Sequence, residues 1–266
     1  MGSELLVVLP SFLALGVFVG FCAGLLGIGG GLILVPGLYY LLKHAGLETQ
    51  SDDILIHTAL ATSMAIILPT AISSSWAQIK RKAVDWTSIK MMIPGLTIGV
   101  VIGISIVSKI NSEILKIIFS VGLTAIAISI IFKKENSKSF AVLNQMKCAV
   151  PFSIVFGVLA TFLGIGGAVL NVPYLNRAGL PLKTAIATGS VLGAVIAFVA
   201  TLGYLFSELQ GHSYINFMAF LMIVPASVLM APIGVKISHT IPVGKLKIMF
   251  ATMLILVAAK MFFEAL

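Results

Sequence analysis

Ten apolar stretches follow one another along this chain with only short polar gaps between them: roughly 5–26, 30–43, 54–77, 91–108, 114–132, 147–163, 166–177, 184–206, 214–235 and 246–264. Most come near the ~20 residues an α-helix needs to cross the hydrocarbon core of a bilayer. They are apolar all round rather than alternating with period two, so helices are expected and barrel strands are not. Composition agrees: 59% of the 266 residues are hydrophobic and 10% are charged, against about a quarter charged in a soluble domain. Mean hydropathy is +1.13. The expected fold is an all-α polytopic membrane protein of about ten helical segments.

Two of the stretches, 30–43 and 166–177, are short, and each follows a glycine cluster. GIGGGLILVP (27–36) recurs as GIGGAVLNVP (164–173), and TALATS (58–63) recurs as TAIATGS (184–190). PGLTIGVVIG (94–103) matches PASVLMAPIG (225–234), and LKIIF (115–119) matches LKIMF (246–250). Four blocks in one order make a tandem duplication of five segments per half. The expected division is a first membrane repeat at 1–133, a cytoplasmic linker at 134–147 and a second repeat at 148–266.

Lysine and arginine collect in cytoplasmic loops. Loop 78–90 holds Lys80, Arg81, Lys82 and Lys90, and the linker holds Lys134, Lys138 and Lys147. Loop 177–183 holds Arg177 and Lys183, and loop 236–247 holds Lys236, Lys245 and Lys247. These read inside. Loop 43–56, with Glu48, Asp52 and Asp53, and loop 206–214, with Glu208, read outside. Corresponding loops of the halves therefore change sides, which is the pattern of an inverted-topology repeat with both termini outside. The same parity fits short segments that cross and short segments that re-enter.

Irregular backbone at membrane depth is tolerated only inside protein or facing a watery cavity. A glycine cluster opening a short helix makes a half-helix N-terminus, with free N–H groups and the positive end of the helix dipole. Paired breaks in two inverted halves point to a transporter's central site, and this one suits an anion. The candidates are Gly29, Gly30 and Gly31 in one break and Gly166 and Gly167 in the other. Close helix packing through small residues is the alternative. A dinucleotide fingerprint would need glycine where Leu32 stands, and no GK[ST] P-loop is present.

Thr58 and Thr62 lie four residues apart and share a helix face, as do Thr184 and Thr188. Ser63 and Ser190 follow them. Their hydroxyls can donate to an anion, or can bond their own helix backbone. Asn171 stands where the first half has Leu34, and a buried amide is costly unless bonded, so it is expected to line the site. Trp76 and Trp86 read as interface anchors. Gln78 is expected at a solvated helix end, with an inner vestibule as the alternative. Lys80, Arg81 and Lys82 read as a topology signal and headgroup contact.

No Ser/His/Asp cluster, HExxH or paired carboxylates are seen, so no catalytic residue, cofactor or metal is expected. Cys22 and Cys148 lie in or beside apolar segments without a CxxC spacing, which argues for buried thiols. The charge of +8 is read as cytoplasmic loop bias rather than nucleic-acid binding. The N-terminal segment, with Glu4 and no basic leader, is read as a retained span. No Asp or Glu stands in the middle of a span, where coupled carriers often keep one. The membrane potential alone, worth ~2.3 kcal/mol per charge per 100 mV, could then drive an anion outward.

The paired GxGGG…P blocks, the ATS and ATGS blocks and the length resemble the sulfite exporter TauE/SafE family of bacterial membrane proteins. The resemblance covers nearly the whole chain. It implies transport of a sulfur oxyanion or an organosulfonate across the inner membrane, with the lipid bilayer and a small anion as partners. The expectation is a secondary carrier working by alternating access; a passive anion channel is the other class. Nothing in the sequence supports a homodimer.

Overall fold

The computed structural model describes residues 2–26, 30–44, 52–132, 142–206, 214–238 and, in part, 252–263. Among them the chain is helical, with no strand. The elements are α1 (Gly2–Leu26), α2 (Gly31–His44), α3 (Asp52–Lys80), α4 (Trp86–Val107), α5 (Ser112–Phe132), α6 (Val142–Phe162), α7 (Ala168–Arg177), α8 (Leu182–Phe206) and α9 (Phe217–Ser238). Helical residues recur at 258–263. Among the described residues, four stretches are long and apolar enough to cross a membrane: Ile54–Lys80, Trp86–Val107, Lys183–Phe206 and Phe217–Ile237.

Nine of the expected apolar stretches fall on helices and the tenth, 246–264, lies in large part outside the described residues; the helices overrun the apolar runs where polar residues cap them. α4 starts at Trp86 rather than 91. Asp85 stands before it in extended conformation, and its Oδ2 accepts a hydrogen bond from Ser88 N at 2.9 Å. That bond satisfies one of the free N–H groups at the helix start. α6 starts at Val142, inside the stretch expected as linker. The two short helices are present, with 14 residues in α2 and 10 in α7.

α3 is the central element. Its membrane-length window is 83% buried inside the protein, against 33% for that of α9. It packs on α2, α8 and α9. This explains how an apolar helix can carry Thr58, Thr62, Ser63, Thr70, Ser74, Ser75 and Gln78, all buried: its neighbours are protein rather than lipid. The peripheral helices show the reverse. Ile98, Val101 and Ile106 of α4 and Leu221, Leu229 and Ile233 of α9 are exposed, as lipid-facing side chains should be. Trp76 and Trp86, expected as interface anchors, are exposed, and Lys80 Nζ lies 5.2 Å from the centre of the Trp76 ring.

The most extensive helix pairs are α1 with α9 and α4 with α6. Lipid offers no hydrophobic drive between helices, so such pairs depend on close van der Waals packing through small residues. A Cβ on Gly20 of α1 would lie 2.5 Å from Ser227 Cα, and one on Gly24 would lie 2.8 Å from Ala231 C. On the other pair, a Cβ on Gly157 of α6 would lie 2.6 Å from Leu96 O, and one on Gly99 of α4 would lie 2.9 Å from Ile154 C. Backbones this close leave no room for a side chain.

Candidate functional site

The second glycine break can be followed residue by residue. α6 stops at Gly164, which has φ +56°. Ile165 N donates to Ala160 O at 3.0 Å and Gly164 N to Thr161 O at 3.3 Å. This reciprocal pair around a left-handed residue is the Schellman helix stop, and glycine adopts that conformation without a Cβ penalty. Three residues after Gly164, Gly167 has φ +66° and caps α7 with no side-chain hydrogen bond. Leu170 N and Asn171 N donate to Gly167 O at 3.1 and 2.9 Å. The N–H groups of Ala168 and Val169 therefore have no acceptor within the helix.

Where it is described, the first break opens its helix in the same way. Gly30 has φ +70°, and Ile33 N and Leu34 N each donate to its carbonyl at 3.1 Å. Gly29 lies outside the described residues.

The two breaks meet. A Cβ on Gly31 would press on Gly164 O and lie 2.8 Å from both Ile165 Cα and Ile67 Cδ1. A Cβ on Gly166 would lie 3.0 Å from Ile67 Cγ2 and 3.7 Å from Gly193 O. Ile67 stands midway along the Ile54–Lys80 window, and Gly193 near the middle of Lys183–Phe206. The interrupted backbone thus sits at mid-length of two long helices. Ile67 and Gly193 were not legible as site residues. Gly193 carried only the signal of a small residue in an apolar run.

Asn171, on the first turn of α7, is fully buried, and neither its Oδ1 nor its Nδ2 has a hydrogen-bond partner. The amide reaches back toward the helix start: a Cβ on Gly167 would lie 3.3 Å from Asn171 Nδ2. Leu34, at the same register on α2, is also fully buried. A buried polar group without a partner is rare and costs about 1–3 kcal/mol.

The expected hydroxyls are placed differently. Thr62 Oγ1 accepts from Asn216 N at 2.8 Å, and Thr188 Oγ1 accepts from Asp85 N at 2.9 Å. Ser63 Oγ donates to Leu60 O at 2.7 Å and lies 3.3 Å from Gly164 O, beside the second break. Ser190 Oγ donates to Ile186 O at 3.1 Å, its own helix. Thr58 is buried on the face of α3 that carries Thr62, and Thr184 is half-buried one turn before Thr188. Gln78 corrects the expectation of a solvated helix end. It is 2% exposed, and its Oε1, with Ser74 Oγ and Ser75 Oγ, is buried without a partner. The reason is the central position of α3, whose face with Ser74, Ser75 and Gln78 stays covered by neighbours to the helix end while Trp76 and Lys80 are exposed. His57 is buried too, with Nε2 3.1 Å from Val107 O.

Uncapped N–H groups at a helix start and an unpaired neutral amide make a place that favours negative charge without holding a counter-charge.

The family model described as Sulfite exporter TauE/SafE matches residues 12–261. The chain belongs to that family. A probable membrane transporter protein of Haemophilus influenzae is 31% identical over 260 residues, covering 95% of this chain and 97% of the relative. One from Methanocaldococcus jannaschii is 27% identical over 257 residues, 94% of each chain. YunE of Bacillus subtilis, also named a probable membrane transporter protein, is 25% identical over 269 residues, 94% of this chain and 96% of the relative. No solved structure gives a significant match. This TauE/SafE protein is thus an integral membrane protein of a transporter family, and these three relatives match it along nearly their whole length.

Proposed function

We propose that this TauE/SafE protein is a secondary carrier that exports a small anion, sulfite or an organosulfonate, across the bacterial inner membrane by alternating access. The observation that carries the proposal is the uncapped start of α7 at mid-length of α3 and α8, with the unpartnered amide of Asn171 turned toward it. The anion would be held by the two half-helix starts, at Gly29–Gly31 and Gly166–Gly167. Asn171 would donate to it. Thr58, Thr62, Ser63, Thr184, Thr188 and Ser190 would frame the place, several of them through the backbone they already hold.

Two inverted repeats would supply the moving parts, with both termini outside and the linker in the cytoplasm. The packing pattern supports this. α1 on α9 corresponds to α6 on α4, and α2 on α3 corresponds to α7 on α8. Rocking one set against the other around the fixed breaks would open the site to each side in turn.

Two measurements test the reading together. Purified protein in detergent should gain thermal stability with sulfite or a sulfonate, since a ligand that binds the folded state stabilises it by mass action. The same protein in liposomes should move that anion at carrier rates, with saturation. No stabilisation by any oxyanion at millimolar levels would overturn the binding site. Single-channel currents would replace the carrier with a passive channel.

A further inference from the structure

The two free atoms of the Asn171 side chain have opposite chemistry. Whichever way the amide is drawn, one is an N–H donor and the other a carbonyl acceptor. Both are buried without a partner. The donor suits the oxygen of an anion. The acceptor does not: it repels a bare oxyanion and is satisfied only by a ligand that brings its own hydrogen.

We infer that the anion seated at the start of α7 is a singly protonated oxyanion. Its O–H donates to the amide oxygen of Asn171, and a neighbouring oxygen on the same central atom accepts from the amide nitrogen. The two hydrogen bonds close a ring of the kind amides form with acids, and the remaining anionic oxygen faces the free N–H groups of Ala168 and Val169. This rests on the anion site proposed above and narrows what fills it, favouring hydrogen sulfite over a plain organosulfonate, which carries no O–H. It also makes the site lopsided, because Leu34 offers no such pair on α2.

Titratable groups of the protein do not account for the selectivity. Among the described residues, Arg177 and Lys183 are exposed at the ends of α7 and α8, and Tyr174 packs on Phe152 and Phe156. Tyr204, far along α8, packs on Tyr214. On α3, His57 is held against Val107 O and Tyr214, and Lys80 lies over Trp76. The proton that decides binding is the ligand's.

Methylphosphonate and methanesulfonate are near-isosteres that separate the possibilities. In mildly acidic buffer both are monoanions, but only the phosphonate carries an O–H; in alkaline buffer the phosphonate loses it and becomes a dianion. The wild-type protein in detergent should bind methylphosphonate about tenfold tighter than methanesulfonate in acid, because a ligand lacking the matched hydrogen leaves a buried acceptor unpaired. The advantage should vanish in alkali, while methanesulfonate binding stays level. In Asn171→Leu the two ligands should bind alike at both pH values. Equal binding of the two by wild-type protein in acid overturns the protonated-ligand assignment and leaves the anion site standing. So does tighter binding of the phosphonate dianion. Binding of neither overturns the anion site and this assignment with it. The wild-type comparison is decisive even if Asn171→Leu does not fold.

Discussion

Thr62 Oγ1 accepts the backbone N–H of Asn216 at 2.8 Å, and this bond ties the central helix α3 to the start of α9. Asn216 in turn caps α9, its Oδ1 accepting from Ala219 N at 2.9 Å. Thr188 and Asp85 repeat the arrangement at the start of α4. Each threonine thus satisfies an N–H group at a half-buried position just where a helix begins. Thr62→Val keeps the shape and removes the acceptor. Leaving that N–H unpaired should cost about 1–3 kcal/mol of stability, and Thr188→Val should cost a similar amount. Thr62→Ser should restore most of it. The check is thermal unfolding in detergent without anion. An unchanged midpoint in both valine variants would return these hydroxyls to a role in ligand contact alone.

Gly167 and Gly193 make a second pair of expectations. An alanine at 167 would hold φ near +66°, at a cost of about 1–2 kcal/mol. Its Cβ would also meet Ile196 Cδ1. A Cβ at 193 would strike the carbonyl oxygen of Gly166, which is backbone and cannot swing away. Both Gly167→Ala and Gly193→Ala should abolish sulfite or sulfonate flux in liposomes. Gly193→Ala is the sharper test, since that residue lies on a different helix and acts only by holding the break in place. Full flux in Gly193→Ala would show that the position of Gly166 is immaterial.

The helices and the two breaks were legible because hydropathy and repetition are carried by local sequence. GIGG in 164–167 states a helix stop and a helix start directly, and the structure puts the left-handed residues at Gly164 and Gly167. Asn171 was legible because a polar residue replaced Leu34 in a repeated block. What stayed hidden depends on which helices become neighbours. Thr62 and Thr188 look like free hydroxyls until Asn216 and Asp85 arrive from over a hundred positions away. Gln78 reads as a solvated end until α3 proves to be the central helix. Ile67 looks like any isoleucine in an apolar run.

The glycines on α1 and α6 bear on assembly rather than on the ligand. A Cβ at Gly20 would meet the backbone of Ser227, and one at Gly157 the backbone of Leu96 and Val100. A Cβ at Gly37 would meet only the side chain of Leu15. Gly20→Val and Gly157→Val should therefore separate α1 from α9 and α4 from α6, at about 1–3 kcal/mol or more each. Gly37→Ala should be much milder. Fluorescence-detected size exclusion after detergent extraction reads this out: the two valine variants should lose the monodisperse peak on mild heating, and Gly37→Ala should keep it. If Gly20→Val elutes and melts like the parent, the α1–α9 pair is not the close interface described.

Asn171→Leu should move two quantities in opposite directions. The wild-type amide is buried with neither atom bonded to the protein. Replacing it with leucine, the residue that fills the same register at position 34, removes a desolvated polar group and adds apolar contact. The empty protein should become more stable by about 1–3 kcal/mol. Oxyanion binding should weaken, because the amide donor is gone while the backbone N–H groups at the start of α7 remain. The measurement is a pair of thermal melts, with and without sulfite, for parent and variant. The variant should start higher and shift less. A variant that starts lower would mean that the amide is bonded in the folded protein. A variant that shifts as much as the parent would mean that the anion does not touch Asn171. A stability gain bought with lost binding is the behaviour expected of a residue kept for a ligand rather than for the fold.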